Sequence, residues 1–263
     1  MGVSLSAFLY NRAYTSPPPS SSVFPLLAVP TSARLAVTLK TSALAPGDGR
    51  SHWSSVHHSP HFLLSACKQE VARSPVERSS DGVRAEIGVK SGLHVWEVLW
   101  NPNHRGSHAV LGISRQNCPL QASGYNVLVG GDSWSWGWEL KTNQPRSSTS
   151  SHTKMAQTPL VIPERILLVL DADAGTVGFI VDGSFLGVAF KDLPPGVELF
   201  PAVSSVRGGA RIRLRYLNGA TCDPPALMAL CGLSIQHHLG QQRQYQLHKL
   251  PLPPHLQHYL LSS

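Results

Sequence analysis

The pattern of hydrophobic and polar positions along the chain changes near Val83. From there to Leu217, short apolar runs are separated by Gly, Asn, Asp and Pro at intervals of about 8 to 15 residues, as in antiparallel all-β domains. Residues 93–98 alternate with period two and predict a half-buried strand, whereas residues 165–170 are apolar after the first position and predict a strand buried on both faces. We therefore expect about ten strands in an all-β antiparallel sandwich, with no alternation of strands and helices.

The clearest turn signal in this region is Asp182-Gly183. It separates the apolar runs at residues 176–181 and 184–190. Gly adopts the positive φ of a tight turn without steric cost, so an Asp-Gly pair between two such runs predicts a hairpin.

Three tryptophans, Trp134, Trp136 and Trp138, recur at every second position. Side chains two residues apart in a strand point to the same face of the sheet. We interpret this row as a core layer of the sandwich rather than as an exposed stacking platform.

The strand pattern ends before Pro224, and a helical pattern follows. Leu227, Cys231 and Ile235 are spaced by four residues and therefore share one face of a helix. Residues 247–254 are rich in proline and are predicted to be extended. An apolar stripe on a short helix is suited to a groove on a partner, and packing against the sandwich is the alternative.

Residues 1–50 precede the patterned regions. The first 47 residues contain no Asp or Glu and are rich in Ser and Pro, a composition that predicts disorder. The lack of acidic residues also fits a transit peptide, and Met1-Gly2 with Ser6 fits the short pattern for N-myristoylation.

Residues 52–67 are unusually rich in possible metal ligands. These are His52, His57, His58, His61 and Cys67. Their spacing matches no standard zinc module, so we predict a solvated His-rich loop, with a metal site completed from elsewhere as the alternative. We expect the chain to hold no metal and no cofactor.

Composition and motifs exclude several classes of protein. The 263 residues carry a formal net charge of +7, but the basic residues form no run, so nucleic acid is not an expected partner. The four cysteines include no Cys-x-x-Cys pair, which argues against a zinc ribbon or a disulfide scaffold. No apolar stretch reaches the ~20 residues of a membrane span, and no hydrolase, nucleotide-binding or metalloprotease motif is present. We expect a soluble protein that is not an enzyme.

Residues 170–190 closely resemble the signature of the B30.2/SPRY domain, and residues 92–96 and 135–138 fit the same family. The C-terminal stretch resembles a SOCS box. Its elongin C-binding half matches Leu227-x3-Cys231-x3-Ile235, and its cullin-5-binding half matches Leu250-Pro251-Leu252-Pro253 followed by Tyr259. In this order the two modules resemble the SPRY domain-containing SOCS box proteins. The resemblance implies a sandwich at residues 51–220, well matched from residue 73, and a SOCS box at residues 223–263.

The resemblance implies that the chain is a substrate-recognition adaptor without catalytic residues. The C-terminal module would recruit elongin B/C and cullin-5 with a RING partner, and the sandwich would capture a short peptide motif in target proteins, which are then ubiquitinated and degraded by the proteasome. A SPRY interaction scaffold with an altered ligand preference or without ligase recruitment is the alternative. Such a protein is expected in the cytoplasm, with the nucleus as a second location.

The resemblance also implies a site for peptides of the type (Asp/Glu)-(Ile/Leu)-Asn-Asn-Asn. The matching positions lie in three segments and are Arg73 and Pro75, Tyr125 and Leu128, and Val206 and Gly208. Two positions depart from the family pattern, because Glu77 stands where the family has Ala and Arg207 stands where it has Trp. Glu77 would oppose an acidic peptide, and Arg207 exchanges an aromatic wall for a planar cation. We therefore expect weaker binding of the family peptide or a preference for another ligand.

Overall fold

The computed structural model describes residues 33–40, 47–148 and 161–220, together with Cys231, Ile235, Leu252, Pro253, Leu256 and Gln257. Over residues 33–40, 47–148 and 161–220 there are one α-helix, two short 3-10 turns at Gly49–Ser51 and Pro102–His104, and fourteen strands. Cys231, Ile235, Leu256 and Gln257 are also helical. The helix, α1, spans Ala33–Lys40. The strands are β1 Trp53–His58, β2 Phe62–Leu64, β3 Glu70–Arg73, β4 Ser79–Ala85, β5 Leu93–Trp100, β6 Val110–Ser114, β7 Gln121–Ser123, β8 Ser135–Glu139, β9 Gln144–Arg146, β10 Arg165–Asp171, β11 Thr176–Val181, β12 Ser184–Phe190, β13 Phe200–Ser205 and β14 Arg211–Ala220.

The strands form two antiparallel sheets of seven strands each, which confirms the predicted all-β sandwich. The first sheet has the order β1-β4-β13-β6-β8-β9, with β7 paired to β4, and the second has the order β12-β11-β10-β5-β14-β3-β2. Alternate side chains of both sheets meet in one apolar core, in which the largest fully buried side chains are Trp53, Trp96, Trp100 and Trp138. The indole of Trp53 donates to the carbonyl of Ile212 at 3.1 Å, so its polar atom is satisfied within the core.

Two local predictions are confirmed by the backbone. The strand β10 is paired on both sides, with β5 and β11, and its residues from Ile166 to Leu170 are all buried. Asp182 and Gly183 have φ angles of 48° and 75°, so both central residues of the β11–β12 turn lie in the left-handed region, as a tight hairpin requires.

The tryptophan row is only partly a core layer. Trp138 is fully buried and Trp136 packs partly buried against the core, as predicted. Trp134 lies before the start of β8, and the guanidinium of Arg115 stands 4.6 Å from the centre of its ring. The prediction is therefore wrong for Trp134, which supports a loop rather than the core.

The prediction of a solvated loop at residues 52–67 is wrong. This segment contains β1 and β2, and Trp53 and Phe62 are buried in the core. Ser and His residues dominate β1, so the segment lacks the apolar alternation by which strands are recognised in a sequence. Among the residues that the structure describes, no group of three or more His, Cys, Asp or Glu could hold a metal ion.

Part of the segment predicted to be disordered is folded, so the prediction is wrong there. The helix α1 packs its Leu35 side chain, 2% exposed, against the outer face of the second sheet, where it joins an apolar cluster that includes Val95 and Val169. Arg34 donates to the carboxylate of Asp173 at 2.7 Å and to the carbonyl of Ala220 at 3.0 Å. Residues 1–32 and 41–46, with the predicted transit or lipidation signals, lie outside the described residues. No described helix is long and apolar enough to cross a membrane.

Candidate functional site

Three loops that carry the predicted peptide-binding residues meet at one end of the sandwich. They are residues 74–78 between β3 and β4, residues 124–134 between β7 and β8, and residues 206–210 between β13 and β14. The amide of Gly124 donates to the carbonyl of Arg78 at 2.7 Å, which joins the first two loops. A Cβ atom added to Gly208 would lie 2.7 Å from the Cα of Pro75, so glycine is required where the third loop crosses the first.

Arg73 lies beneath these loops, and its side chain is buried. Its guanidinium donates to the Asp81 carboxylate at 2.7 Å and to the backbone carbonyls of Ser74, Val76 and Ser79. With 2% of the residue exposed and its nitrogens already engaged, Arg73 cannot meet a ligand carboxylate directly. The resemblance counts Arg73 among the peptide-binding positions, but its buried side chain fixes the path of the first loop instead of facing a ligand.

Asp81, on the buried strand β4, is the centre of this network. Its carboxylate accepts hydrogen bonds from Ser59 at 2.5 Å, from Ser79 at 3.0 Å and from Arg73, and the Nδ1 atom of His61 lies 2.9 Å away. Burial raises the pKa of Asp81, but the hydrogen bonds from Ser59 and Arg73 outweigh it and hold the pKa below its ordinary value. The carboxylate therefore stays ionised and binds β3, β4 and the segment before β2 together.

The side chains above this network differ in their exposure. Tyr125 is 52% exposed, Pro75 is exposed and Val206 is half-buried, so all three can form apolar contacts with a ligand. Leu128 is only 5% exposed and belongs to the support of the second loop. The serine Ser80 also holds this loop, because its hydroxyl donates to the carbonyl of Gly124 and accepts from the amide of Asn126.

Glu77 and Arg207, the two departures from the family pattern, both lie exposed in these loops. Arg207 is backed by the loop after β5, since a Cβ atom on Gly106 would come within 2.9 Å of the Arg207 Cβ. Its backbone amide donates to the Ser205 hydroxyl at 3.1 Å, which fixes the start of the third loop. The loops thus present Tyr125 and Pro75 together with one exposed anion and one exposed cation.

Sequence reasoning missed the residues that support the loops, namely Ser59, His61, Ser79, Ser80 and Asp81. The segment Ser79-Ser80-Asp81-Gly82 has the composition of a turn, but all seven residues of β4 are buried. One signal was available. Val71 and Arg73 are two residues apart in β3, so their side chains point to the same face, and a buried Val71 implies a buried Arg73. A buried guanidinium in turn requires a carboxylate nearby to pair with it.

The predicted partner-binding helix is described at two positions. Cys231 and Ile235 are both helical, with Cys231 exposed and Ile235 half-buried. In the proline-rich segment, Leu252 is half-buried and Pro253 is exposed. Leu227, Leu250, Pro251 and Tyr259 lie outside the described residues.

The family model of the SPRY domain matches residues 93–216, and that of the SOCS box matches residues 223–261. The chain is 43% identical over 197 residues to human SPRY domain-containing SOCS box protein 1, an alignment that covers 72% of this chain and 71% of the relative. It is 41% identical over 195 residues to human SPRY domain-containing SOCS box protein 2, covering 72% and 74% of the two chains. Protein gustavus of Drosophila melanogaster is 35% identical over 218 residues, which cover 80% of this chain and 78% of that protein.

Proposed function

Because the chain belongs to the family of SPRY domain-containing SOCS box proteins, we propose that it recruits elongin B/C and cullin-5 to proteins that its loops bind. At the coarser level, the chain is a substrate-recognition adaptor of SOCS-box ubiquitin ligases. The observation that carries the proposal is the close succession of the two modules. The last strand of the sandwich ends at Ala220, and the match to the SOCS box begins at residue 223.

In the proposed mechanism the adaptor supplies proximity and no chemistry of its own. A target held by the loops and a conjugating enzyme held through cullin-5 and its RING partner become parts of one assembly. Transfer of ubiquitin to a target lysine then proceeds at a high effective concentration instead of depending on a bimolecular encounter. We propose that this chain acts in the cytoplasm and the nucleus. Its ubiquitinated targets would then be degraded by the proteasome.

The proposed ligand of the loops is a short peptide with an acidic residue followed by an apolar residue and asparagines. Tyr125 offers a rigid aromatic face with a hydroxyl, Pro75 and Val206 offer apolar contact, and Gly208 permits close approach of the peptide backbone. Arg73 takes part only as a positioning residue, through the carbonyls that it holds. Arg207, the exposed cation of these loops, stands where the family has an aromatic residue and so offers the peptide no aromatic wall.

Ubiquitin transfer in a reconstituted complex tests the adaptor function. We expect the full chain, co-expressed with elongin B/C, to bind cullin-5 and to promote ubiquitination of a reporter that carries Asp-Ile-Asn-Asn-Asn. Replacing Leu250, Pro251, Leu252 and Pro253 by Ala should remove cullin-5 and ubiquitin transfer but spare elongin binding, because these prolines lower the ordering cost of an extended segment. Equal cullin capture by the variant and the parent would show that this segment is not the cullin contact. A parent that binds the reporter but never cullin-5 would favour the scaffold function.

The peptide site should bind the family motif weakly and should tighten when the two departures are reversed. We expect Glu77→Ala combined with Arg207→Trp to strengthen binding of an Asp-Ile-Asn-Asn-Asn peptide about 30-fold, since an aromatic anchor is worth on the order of 2 kcal/mol. Titration calorimetry of the complex with elongin B/C measures this difference.

The control for this experiment combines Glu164→Ala with Lys141→Trp, two comparable changes at exposed positions outside the three loops. This variant should bind as the parent does. Tight binding by the parent would show that Glu77 and Arg207 are tolerated. No binding by the restored variant, with its thermal unfolding unchanged, would mean that the loops are not the site.

A further inference from the structure

The outer face of the second sheet is divided into an apolar half and a basic half. The apolar half lies under α1 and includes Leu93, Val95, Leu167 and Val169. The basic half lies on β14, β3 and the first part of β10. Its arginines, which we call the arginine face, are Arg165, Arg211, Arg213 and Arg215.

The arginine face arises from strand periodicity and not from a run of basic residues. Ile212, Leu214 and Tyr216 of β14 point into the core, so the residues that alternate with them, Arg211, Arg213 and Arg215, point outward. Arg165 joins the same surface from β10, because both it and Arg213 are in register with Leu99 of the intervening strand β5. In the sequence, apolar residues separate the arginines of β14, so they form no basic run.

Cations outnumber the carboxylates on the arginine face. Glu97, 6% exposed, is shared by two arginines, with its Oε1 atom 2.6 Å from Arg165 Nε and its Oε2 atom 2.9 Å from Arg215 Nε. Glu70 lies 3.6 Å from Arg211, and Arg213 donates to the amide oxygen of Gln69 at 3.3 Å. The side chains of Arg165, Arg211 and Arg215 remain 54%, 72% and 51% exposed. Four cations therefore share two carboxylates.

No other part of this chain can supply the missing negative charge in quantity. Of its 15 acidic residues, Asp223 is the only one outside the described residues. Residues 1–32, 41–46 and 149–160 contain none. An acidic complement to the arginine face would therefore come from another molecule.

We propose that the arginine face binds an extended acidic segment of a partner protein. Successive outward side chains of a strand are about 6.6 Å apart, and acidic side chains at alternate positions of an extended peptide have the same spacing. A guanidinium can hold a carboxylate through two parallel hydrogen bonds, which makes arginine well suited to this recognition. The apolar residues of such a segment can contact Leu63, which is 61% exposed on the neighbouring edge strand β2.

An acidic peptide fits this surface better than a nucleic acid does. Glu70 and Glu97 interrupt the row of arginines, so the cations do not form the continuous basic path that tracks a nucleic-acid backbone. Binding of single-stranded nucleic acid also uses aromatic platforms for the bases. Among the described residues, Tyr125 is the one exposed large aromatic side chain, and it belongs to the loop site.

The proposal goes beyond the loop site and does not depend on it. The two surfaces adjoin, because β14 begins two residues after Gly209 at the end of the third loop. A target held in the loops could therefore also place an acidic segment along β14. The test uses a peptide without asparagine, so that its outcome is separate from that of the loop site.

Fluorescence anisotropy with the full chain in complex with elongin B/C tests the arginine face. The probe is a labelled nine-residue peptide with Glu at alternate positions and Thr or Val between them, and its partner probe has Gln in place of each Glu. We expect the Glu peptide to bind, its affinity to fall as salt is raised, and the Gln peptide to bind at least tenfold more weakly. Arg211→Gln combined with Arg213→Gln should reduce binding of the Glu peptide at least tenfold.

The matched control is Lys141→Gln combined with Lys191→Gln, which lowers the net charge equally at exposed positions elsewhere. It should retain the affinity of the parent. An equal loss in both variants, or equal binding of the Glu and Gln peptides, would overturn the proposal. The proposal would also be overturned if polyuridylate RNA or phosphatidylserine vesicles bound the parent more tightly than the Glu peptide does, and if the arginine variant, but not the lysine control, lost that binding. An unchanged thermal unfolding midpoint of the arginine variant would show that it is folded.

Discussion

Leu227→Asp combined with Cys231→Asp should abolish capture of elongin B/C while the sandwich stays folded. Leu227 and Cys231 are one helical turn apart on the stripe that ends at Ile235, and Cys231 is helical and exposed, as a residue that contacts a partner must be. Cys231 acts there as a small hydrophobic side chain. Placing two carboxylates in an apolar groove leaves charges buried without partners, a cost that exceeds the binding contribution of the contacts they replace.

Co-expression followed by size-exclusion chromatography measures this effect. The parent should co-elute with elongin B/C in stoichiometric amounts and should be more soluble with it than without it, because the partner covers the apolar stripe. Gln241→Asp combined with Gln242→Asp adds the same charge C-terminal to the stripe that ends at Ile235 and should leave the complex intact. Stoichiometric elongin C on the variant with changes at Leu227 and Cys231 would contradict the assignment of the helix.

The strands that could be predicted from the sequence are those whose two faces differ in hydrophobicity or are both apolar. This holds for β5, β10, β11 and β12, which pair next to one another in the second sheet. The apolar pattern of β10 also predicts that another element packs against its outer face, but it does not identify that element. In the structure this element is α1, an eight-residue helix. An isolated helix of this length is only marginally stable in water, so its packing on the sheet stabilises it.

The support of the candidate site could not be predicted because it is buried and polar. The strand β4 places Ser79, Ser80 and Asp81 between two other strands, where composition alone predicts a turn. Likewise, a resemblance transfers a residue's position but not its exposure. The resemblance places Arg73 in the peptide site, whereas in the structure its guanidinium is hydrogen-bonded to Asp81.

Asp81→Asn should be the most destabilising single substitution in the loop region. Arg73 and Asp81 form an ion pair at 2.6 Å in which both side chains are fully buried, and an asparagine would leave the guanidinium charge without its counter-ion. We expect the free energy of unfolding to fall by about 3 to 5 kcal/mol. Urea denaturation measures the loss.

The ion pair of Lys68 and Glu86, at 3.3 Å with side chains 43% and 33% exposed, provides the control for the buried pair. Glu86→Gln should change the free energy of unfolding by less than about 1 kcal/mol, since solvent screens both charges. The double variant Arg73→Met with Asp81→Leu should recover part of the stability lost in Asp81→Asn, because it removes both charges together. A value for Asp81→Asn within error of that for Glu86→Gln would contradict the structural role given to the pair.

The same carboxylate should make the stability of the sandwich sensitive to acid. The folded state holds the pKa of Asp81 below that of the unfolded chain, so the folded protein resists protonation of this group. Its contribution is fully present above the pKa of an unfolded aspartate, about 3.9, and is lost as the pH falls through the lower folded value. The midpoint temperature of unfolding of the parent should therefore fall across this acid range. Asp81→Asn should have a lower midpoint at neutral pH, and that midpoint should fall less in acid. An equal acid shift in both proteins would mean that other carboxylates set the acid limit and that Asp81 is not the centre of the network.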